Sequence, residues 1–273
     1  MRNVLKIKIH QPTAHYRVPF SYQRRFTYPI PPFSTVKGMI CNLMGIRDDS
    51  DELFNKIKKG LSLAIYGRYE SIVKEYVWFR NIEKDSHVRK FNSVWNRIID
   101  TIPQHPGGQM PVTIDVLQNV NLLIYIYHPE SVFLEEIKRA FENPKRRLST
   151  IHLGRSEDWL VIEEIMYPVK LRQSSMSTID LNYFTWIPAK EFANEDFIGE
   201  KYDDFFDNLN GNLFRLPVFY KITDDNQRVF SEYITVKLFE SRSFKGDNFY
   251  IDIDENIPLI FSKLRGNGEC KKF

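Results

Sequence analysis

The chain has 273 residues, in which 38 Lys and Arg stand against 35 Asp and Glu for a net charge of +3, and 14% of the side chains are aromatic, with 21 Phe and 14 Tyr. That length holds two ordinary domains or one large one, and so small a positive excess excludes a strongly basic tail while permitting a local basic groove. Two cysteines, Cys41 and Cys270, with no CxxC pair and no ligand spacing, argue against a disulfide framework and against structural zinc.

The N-terminus alternates Leu5, Ile7 and Ile9 with Lys6, Lys8 and His10, which predicts a strand and not a signal peptide. No apolar run approaches the roughly 20 residues that cross a bilayer, so a soluble, cytoplasmic protein without membrane contact is expected. Next comes PIPPFSTVKGMICNLMGI, Pro29 to Ile46. Pro31 and Pro32 hold their predecessors out of the α region, and Ser34 offers a hydroxyl to cap a helix from Ser34 to Met44. Val36, Met39, Ile40, Leu43 and Met44 make one apolar stripe, and Gly45 suits a left-handed helix end. Lys37 lies off the stripe, so with Ser34 and Thr35 the positive helix start is a candidate anion site. The plain alternative is a well-capped core helix.

Leu61 to Tyr69 predicts a second strand, with Ile72 to Phe79 as its hairpin partner. Residues 80 to 115 then break the pattern: Arg80, Lys84, Arg89, Lys90 and Arg97 surround Trp95, and His105 opens the turn His105-Pro106-Gly107-Gly108. A basic insertion of that length with an aromatic anchor suggests a projecting arm. A strand from Val120 to Tyr127 has an aliphatic face and an aromatic face with Tyr125 and Tyr127. A helix from Ser131 to Glu142 turns Leu134, Ile137 and Phe141 inward and stops at Asn143-Pro144, and Leu160 to Met166 closes the unit. This order predicts an α+β fold: a ferredoxin-like (RRM-like) βαββαβ domain over residues 1–166 with a long inserted arm. A smaller, mostly β domain over 167–273 is expected to follow, with strands Asn182 to Ile187, Leu213 to Ile222, Val229 to Glu240 and Asn248 to Ile253. Residues 191 to 211 hold seven acidic side chains and one lysine, the pattern of a solvated face.

Phosphate loops, GxGxxG turns, HExxH helices and GxSxG elbows are missing, and the six histidines show no ligand spacing, so no metal, cofactor or catalytic set is expected. What remains is basic: Arg24 and Arg25 before the proline turn, Lys145, Arg146 and Arg147 after the second helix, and the arm. Any one cluster reads equally well as solvated charge, but together they suggest a surface that tracks phosphates. A second local signal is His152-Leu-Gly-Arg-Ser-Glu-Asp-Trp159, where Gly154 admits a close backbone approach and Arg155 offers a planar fork. Its plain alternative is a turn in which Arg155 pairs with Glu157 or Asp158.

An alternating first strand, a proline loop running into STVKGMICNLMGI and a later LGRSEDW resemble the Cas-five family of CRISPR-associated proteins, in particular its type I-B kind. The resemblance covers residues 1 to about 166 well and the remainder loosely. It implies a non-catalytic subunit of an antiviral Cascade surveillance complex that caps the 5′ handle of the guide crRNA. Its partners would be the adjoining backbone subunit, the large subunit, the crRNA-processing nuclease and, through the complex, target DNA. By this resemblance Ser34, Thr35, Lys37, Gly154 and Arg155 touch the handle, with Arg24, Arg25, Arg146, Arg147 and His152 alongside. Residues 80 to 115 become a thumb whose Arg89, Lys90, Trp95, Arg97 and His105 meet the backbone subunit. One alternative is metal-independent cleavage of precursor crRNA, as in type I-C relatives, with His15, Tyr16 and Arg17 or His87, Arg89 and Lys90 supplying acid, base and cation. The chain lacks the Lys-His pair expected of those relatives. Another is a general RNA-binding module stacking bases on Tyr125 and Tyr127.

Overall fold

A computed structural model describes residues 2–19, 21, 23–81, 98–99, 102–103, 108–174, 177–222, 228–240, 243–246 and 248–265. In chain order the principal elements are β1 (Val4–Ala14), β2 (Arg24–Arg25), α1 (Phe33–Met44), α2 (Glu52–Gly60), β3 (Ser62–Arg68), β4 (Ser71–Asn81) and β5 (Gly108–Tyr127). They continue with α3 (Ser131–Glu142), β6 (Val161–Met166), β7 (Leu171–Ser174), β8 (Phe184–Pro188), α4 (Tyr202–Asn208), β9 (Asn212–Ile222), β10 (Arg228–Phe239), β11 (Phe249–Asp252), β12 (Ile257–Leu259) and β13 (Ser262–Lys263). The main sheet runs β6-β1-β5-β3-β8-β10-β9, and β7-β11-β12 form a smaller antiparallel sheet.

The apolar stripe of α1 is buried as its spacing predicts: Val36, Met39, Ile40, Leu43 and Met44 pack with Phe133, Leu134, Ile137 and Phe141 of α3 on one face of the sheet. Each such side chain stabilises the fold by about 1.5–3 kcal/mol on burial. The helix starts one residue earlier than expected, and its cap differs. Pro32, extended at φ −70° and ψ 159°, is the N-cap; it has no side-chain acceptor, so no side chain caps the helix, and the Thr35 N–H donates to the Pro32 carbonyl at 2.9 Å. Ser34 therefore sits inside the first turn. At the far end Gly45 adopts φ 79°, and a Cβ there would lie 2.7 Å from the Arg146 carbonyl oxygen. Gly45→Ala is expected to lower stability by about 1–2 kcal/mol, the cost of forcing an L-residue left-handed; urea melts of the two proteins check this.

The strand pairing departs from the expected hairpin. β4 pairs antiparallel with β5, from Ser71↔Gln118 to Asn81↔Gly108, while β3 takes the other half of the same strand, from Ser62↔Tyr127 to Arg68↔Asn121. At about 3.4 Å per residue, the 20 residues of β5 span roughly 65 Å, enough for both partners in series. Apolar alternation marks a strand and its faces but does not name its neighbour, so the base of the expected arm is in fact a continuous two-stranded ribbon. α2 lacked a long periodic signal; it is nine residues with Ile57 its one fully buried side chain, capped where Asp51 accepts from the Leu53 N–H at 2.9 Å.

The boundary expected at 166/167 does not divide the sheet. β8 pairs with β3 at Thr185↔Tyr66, and β13 returns to pair with it at Ser262↔Leu63. C-terminal residues cover the second face of the sheet: Tyr66, Leu123 and Tyr125 pack under Phe197, Tyr202, Phe249, Ile251, Leu259 and Phe261. The seven acids of 191–211 are exposed, as their pattern predicts, while Phe197 and Tyr202 between them anchor the segment. No helix among the described residues is long and apolar enough to cross a membrane.

Candidate nucleic-acid interface

The segment His152 to Trp159 is built around one carboxylate. Asp158 is fully buried, and its Oδ2 accepts from the backbone N–H of His15 at 2.9 Å and of Arg155 at 2.8 Å. The Arg155 guanidinium donates to Asp158 Oδ1 at 2.8 Å and to Glu75 Oε2 on β4 at 3.2 Å, with Glu157 3.4 Å away. Partial burial works against the charge of Arg155, but Asp158, Glu75 and Glu157 outweigh it and raise its pKa. Gly154 sits at φ 115°, and a Cβ would meet Asp158 Oδ2 at 2.7 Å and the His15 carbonyl oxygen at 3.0 Å, so the position requires glycine for both its conformation and its space. Buried Gln11 closes the loop from beneath, donating to the Leu153 carbonyl at 2.9 Å while accepting from the Tyr16 hydroxyl at 2.6 Å. The pairing of Arg155 with both Glu157 and Asp158 realises the plain alternative for this turn. The guanidinium keeps 18% of its surface open, so it lies at the margin of the loop.

His15 is enclosed next to this loop. Its Nδ1 lies 2.8 Å from the Asp115 carbonyl oxygen, which can only accept, so Nδ1 carries the proton. Burial, joined by the positive charge of Arg155, holds the imidazole below its usual pKa although the Asp115 carbonyl works the other way. Tyr16 is also buried, with a pKa pushed well above 10 by desolvation. The set His15, Tyr16 and Arg17 is thus an enclosed imidazole, a phenol committed to Gln11 and an exposed guanidinium.

The structure gathers some of the expected residues and separates others. Arg24 and Arg25 lie on β2, which runs parallel to β5 with Arg25 opposite Ile114, while Glu75 faces Ile114 from β4. Glu75, which the Arg155 guanidinium touches, is therefore two strand spacings from Arg25, roughly 10 Å. Arg24 stacks on Phe26 at 4.9 Å and Arg25 on Phe79 at 3.9 Å, which makes the root of the ribbon basic and aromatic together. Tyr76 and Trp78 add an exposed edge-to-face pair at 6.1 Å on the ribbon. Arg146 and Arg147 are exposed at the other end of α1, where Asn42 accepts from the Leu148 and Ser149 N–H groups at 3.1 and 2.9 Å.

Lys37 is a correction. Instead of flanking an open helix start, it is 5% exposed, donates to the Val218 carbonyl at 2.8 Å and sits 4.0 Å from the Phe219 ring. Burial lowers its pKa to about 8. Packing of β9 over α1 covers this face, a contact between residues some 180 positions apart that no local pattern encodes. The unfolded chain binds the proton more tightly, so the penalty is fully present below pH 8 and is relieved as pH rises from 8 towards the ordinary 10.5. Lys37→Met should therefore leave stability within about 1 kcal/mol of the parent at pH 7, and should leave RNA retention unchanged; thermal melts at pH 7 and pH 10 with parallel gel shifts test both. Ser34 and Thr35 are half-buried on the first turn. Tyr125, expected to stack bases, is fully buried with its hydroxyl donating to Asp252 at 2.8 Å, and Tyr127 donates to Asp196 at 2.9 Å. The C-terminal segments close the sheet face over Tyr125 and leave Tyr127 half-buried at its end. The expected thumb residues Arg89, Lys90, Trp95, Arg97 and His105, with His87, lie outside the described residues. Among the described residues no group of three or more His, Cys, Asp or Glu could hold a metal ion.

A family model described as CRISPR-associated protein (Cas_Cas5) matches residues 4–195, which include β1, the proline loop, α1 and the whole glycine loop. The chain belongs to the Cas5 family. In fold this Cas5 chain is similar to a solved "CRISPR RNA-guided surveillance complex" chain, with 11% identity, 90% of this chain and 91% of that one covered, and a TM-score of 0.51. It is also similar to a CRISPR protein from Archaeoglobus fulgidus, at 11% identity, 91% of each chain and a TM-score of 0.43. No curated protein matches it in sequence. Sequence reasoning reached the Cas5 family through the helix and the glycine loop but overlooked Gln11 and Glu75, which hold that loop. Neither stood out locally, since β1 also carries Lys6, Lys8 and His10 and β4 carries Lys74 beside Glu75.

Proposed function

We propose that this Cas5 chain is a non-catalytic subunit of a type I CRISPR effector complex, of the I-B kind, that caps the 5′ handle of the guide crRNA. The observation that carries this reading is the glycine loop: a backbone held tightly by buried Asp158, with the Arg155 edge, Arg24 and Arg25 at one place beside the root of the ribbon. Basic side chains interleaved with aromatic ones suit a phosphate backbone with bases stacked alongside. The order β6-β1-β5-β3 with two helices on one face reads as a ferredoxin-like core, and the ribbon as the root of a thumb towards the neighbouring backbone subunit. Contacts with the large subunit, the crRNA-processing nuclease and target DNA belong to the same reading, as does a cytoplasmic site of action.

The purified chain, incubated in EDTA with labelled CRISPR repeat RNA, is expected to retain the RNA uncut. Arg24→Glu combined with Arg25→Glu should weaken retention by about 1–3 kcal/mol and flatten its salt dependence. Defined fragments ending in a 2′,3′-cyclic phosphate would make the chain a processing endoribonuclease instead. Absence of binding by the chain both alone and with its co-expressed backbone subunit would refute handle capping.

A further inference from the structure

A second basic cleft lies at the opposite end of the sheet from the glycine loop, with a volume of about 350 Å³. The loop meets β5 near Leu117, opposite Ala14, and the cleft meets it at Tyr127. Ten residues of strand place the two about 30 Å apart. Its rim carries Lys58 and Lys59 from the end of α2, Lys263 from β13 and Arg265, and its wall carries Tyr127 and Pro129. The tyrosine ring is held in place edge-on to Phe197 at 4.9 Å, and its hydroxyl is committed to Asp196.

The charge balance favours an anion. Asp196, the one acidic side chain in the lining, is already engaged by the Tyr127 hydroxyl and lies 3.6 Å from Arg2. Glu232 is shared between Lys58 and Arg265, each at a long 3.7 Å, and exposed Glu195 stands 3.3 Å from Lys263. Lys59 is exposed and has no ion pair among the described residues. Among the described residues the four rim cations thus face three carboxylates, one of them already engaged by Tyr127 and Arg2, around an opening with an aromatic and proline wall. The volume falls at the lower end of small-ligand sites, about 300–1,000 Å³. Such a composition matches a planar ring resting on an apolar wall with its phosphate on a cationic rim. We infer that this cleft binds a nucleoside phosphate, supplied either as a free nucleotide or as one unit of a single-stranded nucleic acid. The inference does not depend on the handle-capping reading, since it uses no residue of the glycine loop.

The test is equilibrium dialysis of the full chain against labelled AMP, adenosine and a ten-residue oligouridylate. The parent protein is compared with Lys59→Glu and with Lys59→Glu combined with Arg265→Glu, the melting temperature of each being measured alongside. Binding of AMP but not adenosine, weakened about tenfold or more by charge reversal, supports the cleft with a free nucleotide as occupant. Binding of the oligonucleotide alone, weakened in the same way, supports it with a nucleic-acid strand as occupant. Either of two results overturns it: no phosphate-bearing ligand is held by the parent protein, or affinity is unchanged in the folded Lys59→Glu variant. In the second case the lysines only balance the negative end of α2.

Discussion

Asp158→Ala is expected to destabilise the protein by about 3–5 kcal/mol, the range for removing one partner of a buried charged pair. The carboxylate is wholly buried and serves the His15 and Arg155 backbone N–H groups and the Arg155 guanidinium, so its loss strands two backbone donors and leaves the guanidinium with Glu75 and Glu157 alone. Asp158→Asn keeps one acceptor but turns an amide NH₂ towards donors, and should cost less than the alanine change while still loosening the loop. Urea denaturation of the three proteins, read with a gel shift on repeat RNA, separates two effects. If the carboxylate organises the interface, RNA retention falls in the asparagine variant under conditions where it remains folded. A loss below about 1 kcal/mol for Asp158→Ala would show that the loop holds itself without its central acceptor. Acid should act in the same direction. His15 is held below its usual pKa by burial, so the unfolded chain takes up a proton first, and the stability tied to neutral His15 is present above about pH 6.5 and is lost as pH falls towards the lowered folded value.

Asp252→Ala should be comparably damaging, about 3–5 kcal/mol, for a reason at the other face of the sheet. Lys6 is 1% exposed on β1, with Glu255 at 3.2 Å, Asp252 at 3.6 Å and Glu164 at 3.9 Å from its Nζ. Asp252, fully buried, also accepts from the Tyr125 hydroxyl at 2.8 Å and from the Asp254 N–H at 3.0 Å. This cluster fastens the small β7-β11-β12 sheet to β1 and β5. Removing Asp252 leaves the buried Tyr125 phenol without its acceptor and takes away the one fully buried carboxylate beside the Lys6 ammonium, which keeps its hydrogen bond to Glu255. A double-mutant cycle with Lys6→Met is expected to show strong coupling, with the double variant losing much less than the two single changes predict separately. Additive losses would mean that the two residues act independently. Burial lowers the pKa of Lys6, but Asp252, Glu255 and Glu164 together raise it above the ordinary value of 10.5. Its stabilisation is therefore fully present below pH 10.5 and is lost as pH rises through the elevated folded value. Lys37 has the opposite sign, since its penalty is relieved over pH 8 to 10.5. Melts between pH 8 and pH 11 on Lys6→Met and Lys37→Met proteins distinguish the two lysines.

Both lysines read as surface charges in the sequence, Lys6 alternating with aliphatic residues and Lys37 set off a helical stripe, and both are buried. An amphipathic pattern tells which face of an element meets the first core, but a sheet or helix in a larger fold can be covered on its second face as well. That second covering comes from residues more than a hundred positions away.

What the amino-acid sequence determined by itself is local: strand β1 from its alternation, α1 and α3 from their three-and-four spacing, the left-handed Gly45, the glycine turn before Trp159, and with these the Cas5 family. Each of those is decided within a few residues by sterics, hydrogen bonding and apolar periodicity. Only the tertiary structure decided the rest. It set β4 against β5 instead of β3, because strand partners are chosen by which surfaces can be buried together. It joined β8, β9, β10 and β13 of the expected second domain to the main sheet, because β8 and β13 complete the open edge of β3. It also moved Lys37 and Tyr125 from candidate ligand contacts into the core, because β9 and the C-terminal sheet close over them.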